Sequence, residues 1–168
     1  MTISMHTASA PAFAKMFSNM TAWLEAAKAH AEVRKFDSVN YLGLRLAPDM
    51  LPLAKQIQIT SDTAKGCMAR LAGVTPPSYE DNEASIDELI ARINRTRDYV
   101  LSVSAAEVDG SEARVIEIPR RGGEPRIFDG ENYLRHFALP NFYFHASMTY
   151  ALLRHAGVPL GKMDYLGG

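Results

Sequence analysis

The stretch that decides the fold is Leu139 to Gly161, LPNFYFHASMTYALLRHAGVPLG. Pro140 marks the start of a long helix, and Gly157-Val-Pro159 marks its end. Between them, residues three and four positions apart line one face: Asn141, His145, Met148, Leu152 and His155. An Asn-x-x-x-His pair puts both side chains on the same side of a helix, one turn apart. The stretch therefore predicts a final helix that carries a candidate site.

A first long helix is predicted near the N-terminus. We expect it to begin at Ser9 or Ala10, because Pro11 then falls in the first turn, where its missing N–H costs nothing. Apolar side chains recur at helical spacing beyond this point: Phe13, Phe17, Met20, Leu24, Ala27 and Ala31.

A second helix is predicted to follow Pro48-Asp49 and to run to about Ala72, before Gly73. Its apolar row contains Met50, Leu53, Ile57, Ala64, Met68 and Leu71. A second row flanks the first and contains Gln56, Thr60, Thr63 and Cys67. Such a row is either a boundary with solvent or the wall of a pocket, and the sequence favours the boundary.

The remaining signals are a third helix and a hairpin. Ser85, with Glu88 as its capping-box partner, begins the third helix. The acidic residues around that start suit the helix dipole at least as well as a metal: Glu80, Asp81, Glu83, Asp87 and Glu88. Two β-prone runs, 114–118 and 126–128, flank Arg121-Gly-Gly-Glu124 and predict a hairpin. A short helical piece then opens at Asp129-Gly130, and Pro140 is expected to interrupt it.

These elements predict an all-α, antiparallel four-helix bundle with a small β-hairpin excursion between the third and last long helices. At 168 residues, the chain is expected to form one domain, 1–168.

The composition favours a cytoplasmic protein. A net charge of −1 argues against nucleic acid as a partner, and no apolar run approaches the roughly 18 residues of a membrane span. The one cysteine, Cys67, excludes an intramolecular disulfide and fits a reducing compartment. The N-terminal stretch lacks the pattern of a signal peptide.

No complete catalytic motif is present in the sequence. It contains neither a glycine-rich phosphate loop nor a Gly-x-Ser-x-Gly elbow. Cys67 has no histidine near it in sequence and is predicted to be a packed residue rather than a nucleophile. One histidine with one asparagine is a poor site for a transition metal. His145 is either a satisfied core histidine or a pocket residue, and the pattern leaves both open.

Three segments carry a resemblance to a known family: Arg45–Gly73, Leu139–Lys162 and Asp164–Gly167. They resemble a bacterial family described as a domain of unknown function, related to the DinB/YfiT-like superfamily of proposed metalloenzymes. The resemblance extends over essentially the whole chain. It implies an up-down-down-up four-helix bundle, usually found as a homodimer in that superfamily.

The resemblance also implies where a metal site would lie. In the superfamily, that site looks like one histidine on the second helix and a His-x-x-x-His pair on the last. Here the pair is Asn141 and His145, and the second helix contains no histidine, with Gln56 the nearest candidate. Neutral amides are weak donors, so binding of a divalent metal such as Zn or Ni is disfavoured and any other cofactor is left open. The expectation that remains is a small-molecule pocket formed by Gln56, Asn141 and His145.

Two functions follow from these observations. The first is a DinB-like bundle with a degenerate metal site that binds a small-molecule ligand. The alternative is a non-enzymatic homodimeric structural or regulatory protein with no active site. It is favoured by a last helix more apolar than one bundle core readily buries, with Phe142, Tyr143, Phe144 and Tyr150. In either case, ion pairs involving Lys162 and Asp164 are expected to pin the C-terminal tail.

Overall fold

The structure is a computed structural model that describes residues 3–120 and 122–167. Its elements, in chain order, are α1 (Met5–Arg34), a 3₁₀ helix (Ser38–Tyr41), α2 (Leu53–Ala72), α3 (Ile86–Ser102), α4 (Ala105–Val108), β1 (Ile116–Ile118), β2 (Arg126–Phe128), α5 (Gly130–Tyr133), a π-helical turn (Leu134–Ala138), α6 (Leu139–His155) and α7 (Lys162–Leu166). The long helices α1, α2, α3 and α6 form the predicted four-helix bundle, so the expected fold class is confirmed. Within the ranges described, none of these helices has the length and apolarity needed to cross a membrane.

The bundle places α2 between α3 and α6. Helix α1 also packs on α3 and α6, and it meets α2 at few positions, so α1 and α2 lie diagonally across the core. Phe142 of α6 fills the centre, with edge-to-face contacts to Phe13 at 4.6 Å and to Phe17 at 5.4 Å between ring centroids. These rings, all with no exposed surface, hold α6 against α1.

The hairpin is confirmed as an antiparallel pair in which Ile116 faces Phe128 and Ile118 faces Arg126. Ile116 is buried and Phe128 is partly buried, so one face of the pair packs on the bundle. Arg121, at the start of the predicted turn, lies outside the described residues.

Helix α1 begins at Met5, so the expected start at Ser9 or Ala10 is wrong. Ser4 is its N-cap, and Ser4 and Thr7 form a capping box in which each side chain accepts from the other residue's backbone N–H, at 3.3 and 2.8 Å. Pro11 therefore lies inside the helix, at an exposed position. The capping box satisfies N–H groups at the start, whereas Pro11 removes one hydrogen bond further on.

Helix α2 begins at Leu53, later than predicted, and Met50 lies outside it and only partly buried. The reason is a loop packed over the helix start, where Leu53 N donates to Leu44 O at 2.9 Å. Carbonyls from this loop satisfy N–H groups that a helix start otherwise leaves unpaired. The predicted end is confirmed, because Gly73 adopts a φ of 76°, which favours glycine.

The expectation that Pro140 interrupts the helical path is wrong. Helix α5, the π-helical turn and α6 follow one another without a break from Gly130 to His155. Pro140 lacks an N–H and its ring crowds the carbonyl four residues earlier, that of His136. The widened π-helical turn, which includes His136, accommodates this defect.

Helix α7 is pinned by its backbone rather than by the expected ion pairs. Three side chains one turn apart on α1 donate to three tail carbonyls: Trp23 Nε1 to Asp164 O at 3.0 Å, Asn19 Nδ2 to Tyr165 O at 2.9 Å, and Lys15 Nζ to Gly167 O at 2.8 Å. The Asp164 carboxylate instead accepts from the Gly161 N–H at the start of α7, at 2.6 Å. Within the ranges described, neither Lys162 nor Asp164 forms an ion pair.

Candidate functional site

Two of the three predicted pocket residues meet at the seam between α2 and α6. His145 Nδ1 lies 2.7 Å from Gln56 Oε1. Gln56 is 2% exposed, and its Nε2 donates to Leu51 O at 2.9 Å. The Gln56 amide is thus engaged at both ends, and it fixes the position of the half-buried imidazole.

These contacts define which nitrogen of His145 carries the proton. A backbone carbonyl only accepts, so the amide nitrogen of Gln56 must face Leu51 and its oxygen must face His145. Nδ1 of His145 must then donate, which leaves a lone pair on Nε2. In the described part of the chain, Nε2 has no hydrogen-bond partner. The site therefore presents one imidazole acceptor.

The charge of His145 follows from its surroundings. Burial lowers the pKa of His145 from its ordinary value, because the charged form loses solvation. The ring is therefore neutral at physiological pH, with the Nε2 lone pair available. The ring of the neighbouring Phe144 lies edge-on, with 5.1 Å between centroids.

Asn141, the third predicted pocket residue, lies apart from this pair. Its Nδ2 donates to Thr63 Oγ1 at 2.8 Å, and Thr63 lies seven residues beyond Gln56 on α2. That spacing corresponds to a rise of about 10 Å along the helix. The structure thus brings together Gln56 and His145, while Asn141 pairs with Thr63 in a second contact on the same seam.

The row that contains these α2 residues is not the solvent boundary that the sequence favoured. Gln56, Thr60 and Cys67 are buried, and Thr63 is partly buried. The row faces α6, because Gln56 and Thr63 bond to residues of that helix. Cys67 is a packed residue, as predicted, and burial raises the pKa of its thiol far above the ordinary value.

The donors along the seam do not fit a transition metal. They comprise one imidazole and two neutral amides, and the amide oxygen of Gln56 already accepts from His145. Zinc and similar ions require several imidazole, thiolate or carboxylate donors. Across residues 3–120 and 122–167, no three His, Cys, Asp or Glu side chains lie close enough to hold an ion.

A second group of polar residues, which the sequence reasoning missed, surrounds Arg92 on α3. The Arg92 side chain is only 3% exposed. Its guanidinium meets three carboxylates: Asp62 at 2.8 Å, Glu83 at 2.8 Å and Asp81 at 3.0 Å. Two of these belong to the acidic cluster that the sequence assigned to the helix dipole. The available signal was the position of Arg92 between Leu89 and Ile93, beside the apolar residues of α3, where a charge requires partners.

This network lowers the pKa values of two of its carboxylates, those of Glu83 and Asp81. Burial acts to raise the pKa of Glu83, but hydrogen bonds from Arg92 and Gln58 together hold it below the ordinary value. The pKa of Asp81 is likewise lowered, because Lys55 and Arg92 outweigh its desolvation. Both carboxylates are therefore ionised at neutral pH.

The architecture as a whole, a four-helix bundle with one hairpin, is that of a DinB-like protein. It matches a crystal structure described as a DinB family member protein from Shewanella denitrificans, with a TM-score of 0.87 and 37% sequence identity. The match covers 97% of this chain and 92% of that chain.

Residues 5–166 match the family described as Domain of unknown function (DUF1993). The chain belongs to this family, within the DinB-like superfamily, and the resemblance seen in the sequence is confirmed. No curated protein matches the chain.

Proposed function

We propose that this DUF1993 protein binds a small molecule on the α2–α6 seam, with His145 as the group that recognises it. The observation that carries the proposal is the fixed tautomer of His145. Gln56 accepts the hydrogen bond from Nδ1, and Nε2 is left as an acceptor on a half-buried ring. The resemblance implies that this histidine stands where the superfamily places a metal ligand, with the amides Gln56 and Asn141 at the other two positions.

The surroundings indicate the class of ligand. Phe144, next to His145, is 52% exposed, and Leu51, whose carbonyl bonds to Gln56, is 44% exposed. An apolar molecule with one O–H or N–H donor suits these groups, because its body covers apolar surface while its donor bonds to Nε2. The same lone pair is able to accept a proton in catalysis, so binding is the minimal function.

The alternative function is a homodimeric structural or regulatory protein without an active site. It is favoured by the internal satisfaction of the polar groups, since Gln56 bonds to His145 and Asn141 bonds to Thr63. The exposed apolar surface of the last helix, which first suggested a dimer, is smaller than expected. Phe142 is fully buried within the chain, and Phe144 is the large exposed apolar residue of α6 in the described ranges.

Phenol is a suitable probe of the first function, and anisole is its control because it lacks the O–H donor. Titrations followed by NMR are expected to shift the His145 ring signals with phenol and to shift them much less with anisole. Followed at the ring of the neighbouring Phe144, which both variants retain, the difference between the probes should be abolished by His145→Leu and preserved by His155→Leu, at the exposed end of the same helix.

Equal shifts with both probes would contradict a role for Nε2. If neither probe shifts the ring and light scattering shows a dimer that Phe144→Ser dissociates, the alternative function is favoured.

A further inference from the structure

A cavity lies away from His145, between the segment that precedes α3 and the face of α3 itself. Its volume is about 430 Å³. The residues that α3 contributes share one face of that helix, at spacings of three, one and three: Glu88, Ala91, Arg92 and Arg95. Tyr79 and Glu80 line the opposite side.

Most charges near this cavity are already balanced. Besides the three carboxylates around Arg92, Lys65 pairs with Asp62 at 3.0 Å and Lys55 pairs with Asp81 at 2.9 Å. Three cations therefore share three carboxylates, and this inner network has no net charge. These paired side chains form one side of the cavity and do not supply a charge for binding a ligand.

The charges that remain belong to the cavity lining. The guanidinium of Arg95 lies 4.0 Å from the centroid of the Tyr79 ring, and within the described residues it has no carboxylate within 4.0 Å. A guanidinium held over an aromatic face keeps its N–H groups directed outward in its own plane, where they are able to bind a carboxylate.

Two exposed acids, Glu80 and Glu88, supply the opposite charge. Glu88 accepts from the Ala84 N–H at the start of α3, and Glu80 accepts from Asn82. Each carboxylate retains further acceptor capacity, since an ionised carboxylate has about four lone-pair sites. The lining therefore presents one cation and two anions, with Arg95 and Glu88 two turns apart on α3.

We infer that this cavity binds a small zwitterion whose two charges are several ångströms apart, such as a dipeptide or an ω-amino acid. Its carboxylate pairs with Arg95, and its ammonium group lies between Glu88 and Glu80. Glu88 and Arg95 are seven residues apart, a rise of about 10 Å along the helix. The charged ends of a single α-amino acid are only about 2.5 Å apart, too close to reach both groups.

The test uses 6-aminohexanoate together with hexanoate and hexylamine, which carry the same chain with one charge each. Binding is measured by calorimetry and by NMR shifts of the Tyr79 ring and the Ala91 amide. We expect 6-aminohexanoate to bind at least about tenfold more tightly than either control, since each control lacks one charge-assisted contact. Glycine is expected to bind as weakly as the controls.

Two variants test which residue binds each charged end of the ligand. Arg95→Gln should weaken the binding of 6-aminohexanoate about tenfold or more and leave that of hexylamine unchanged. Glu88→Gln should likewise weaken the binding of 6-aminohexanoate and leave that of hexanoate unchanged. Glutamine keeps an acceptor for the Ala84 N–H, so α3 retains its cap. Arg97→Gln is the matched control, because Arg97 lies on the same helix but outside the cavity lining.

Equal affinity for hexanoate and 6-aminohexanoate, or an unchanged affinity in Arg95→Gln, would overturn the inference. Absence of any shift with 6-aminohexanoate at millimolar concentration would do so as well. His145→Leu should leave this binding intact, so the outcome is independent of the seam on which the proposed function depends.

Discussion

The contact between Gln56 and His145 leads to a quantitative prediction, which a double-mutant cycle tests. The variants are His145→Leu, Gln56→Leu and the two combined. In His145→Leu, the amide oxygen of Gln56 loses its donor in a position that is 2% exposed. Because a buried acceptor left unpaired pays its full desolvation cost, we expect a loss of about 1–3 kcal/mol in the free energy of unfolding.

Gln56→Leu should cost somewhat less. The ring of His145 is half-buried, so water is able to reach part of it once the amide is gone. The Leu51 carbonyl also loses its donor, and we expect a loss of about 0.5–1.5 kcal/mol. The double variant replaces both polar partners by apolar groups. Its cost should therefore fall short of the sum by about 1 kcal/mol, which is the coupling energy of the pair.

The assay is urea unfolding of the four proteins at constant ionic strength. A coupling energy that is zero within about 0.3 kcal/mol would refute the contact, since independent sites add within that error. His145→Gln is not a suitable variant for this purpose, because an amide keeps both a donor and an acceptor. Leucine removes both and retains apolar volume.

The same proteins test the protonation state of His145. Because burial lowers the pKa of His145 in the folded chain, the unfolded chain binds more protons between that lowered value and the ordinary one. Stability should therefore fall as the pH decreases through this window and should level off below it. His145→Leu should lose this part of the slope, and a slope unchanged from that of the wild type would contradict a buried neutral imidazole.

Three further predictions concern other parts of the chain. Arg92→Met should destabilise the protein by about 3–5 kcal/mol, because Glu83 is left as a nearly buried charge without its partner. This loss should be smaller at acid pH, below the lowered pKa of Glu83, because the carboxyl group of Glu83 is then neutral. Urea unfolding at neutral and at acid pH measures the difference. Trp23→Phe should loosen α7, since it removes one of the three bonds to the tail carbonyls, and faster carboxypeptidase digestion would reveal the change. Cys67 should react with a thiol reagent only after unfolding, and rapid reaction of the native protein would contradict its burial.

Signals that act within a few residues were sufficient to predict much of the fold. Ser85 accepts from the Glu88 N–H at 3.2 Å, as predicted, but the Glu88 carboxylate accepts from the Ala84 N–H rather than from that of Ser85, so the reciprocal half of the capping box is not formed. Gly73 ends α2 and Gly157 lies just beyond the end of α6, both with positive φ. These features are predictable because the group that satisfies the helix end is encoded beside it.

Features that depend on distant partners were not predictable in the same way. The start of α2 is determined by carbonyls of a loop that folds back over it, including that of Leu44. Asn141 was grouped with His145 because the two share a helical face, yet it bonds to Thr63 rather than to Gln56. Periodicity identifies the face of each helix, but not the relative axial position of two packed helices.

Helix α2 shows how such a helix gains its position. It is mostly buried, yet it carries polar side chains on two sides. On the α6 side, Gln56 and Thr63 bond to His145 and Asn141. On the α3 side, three bonds are formed: Gln58 to Glu83 at 2.7 Å, Ser61 to Thr96 at 2.6 Å, and Arg92 to Asp62 at 2.8 Å.

A shift of α2 by one turn would break all of these bonds at once and would leave buried groups unpaired, at about 1–3 kcal/mol each. Apolar packing alone tolerates such shifts more readily, because one aliphatic contact is easily exchanged for another. The polar residues of α2 therefore determine the axial position of α3 and α6 relative to it. The same residues hold the imidazole on one seam and the wall of the charged cavity on the other, so both candidate sites depend on the register of one helix.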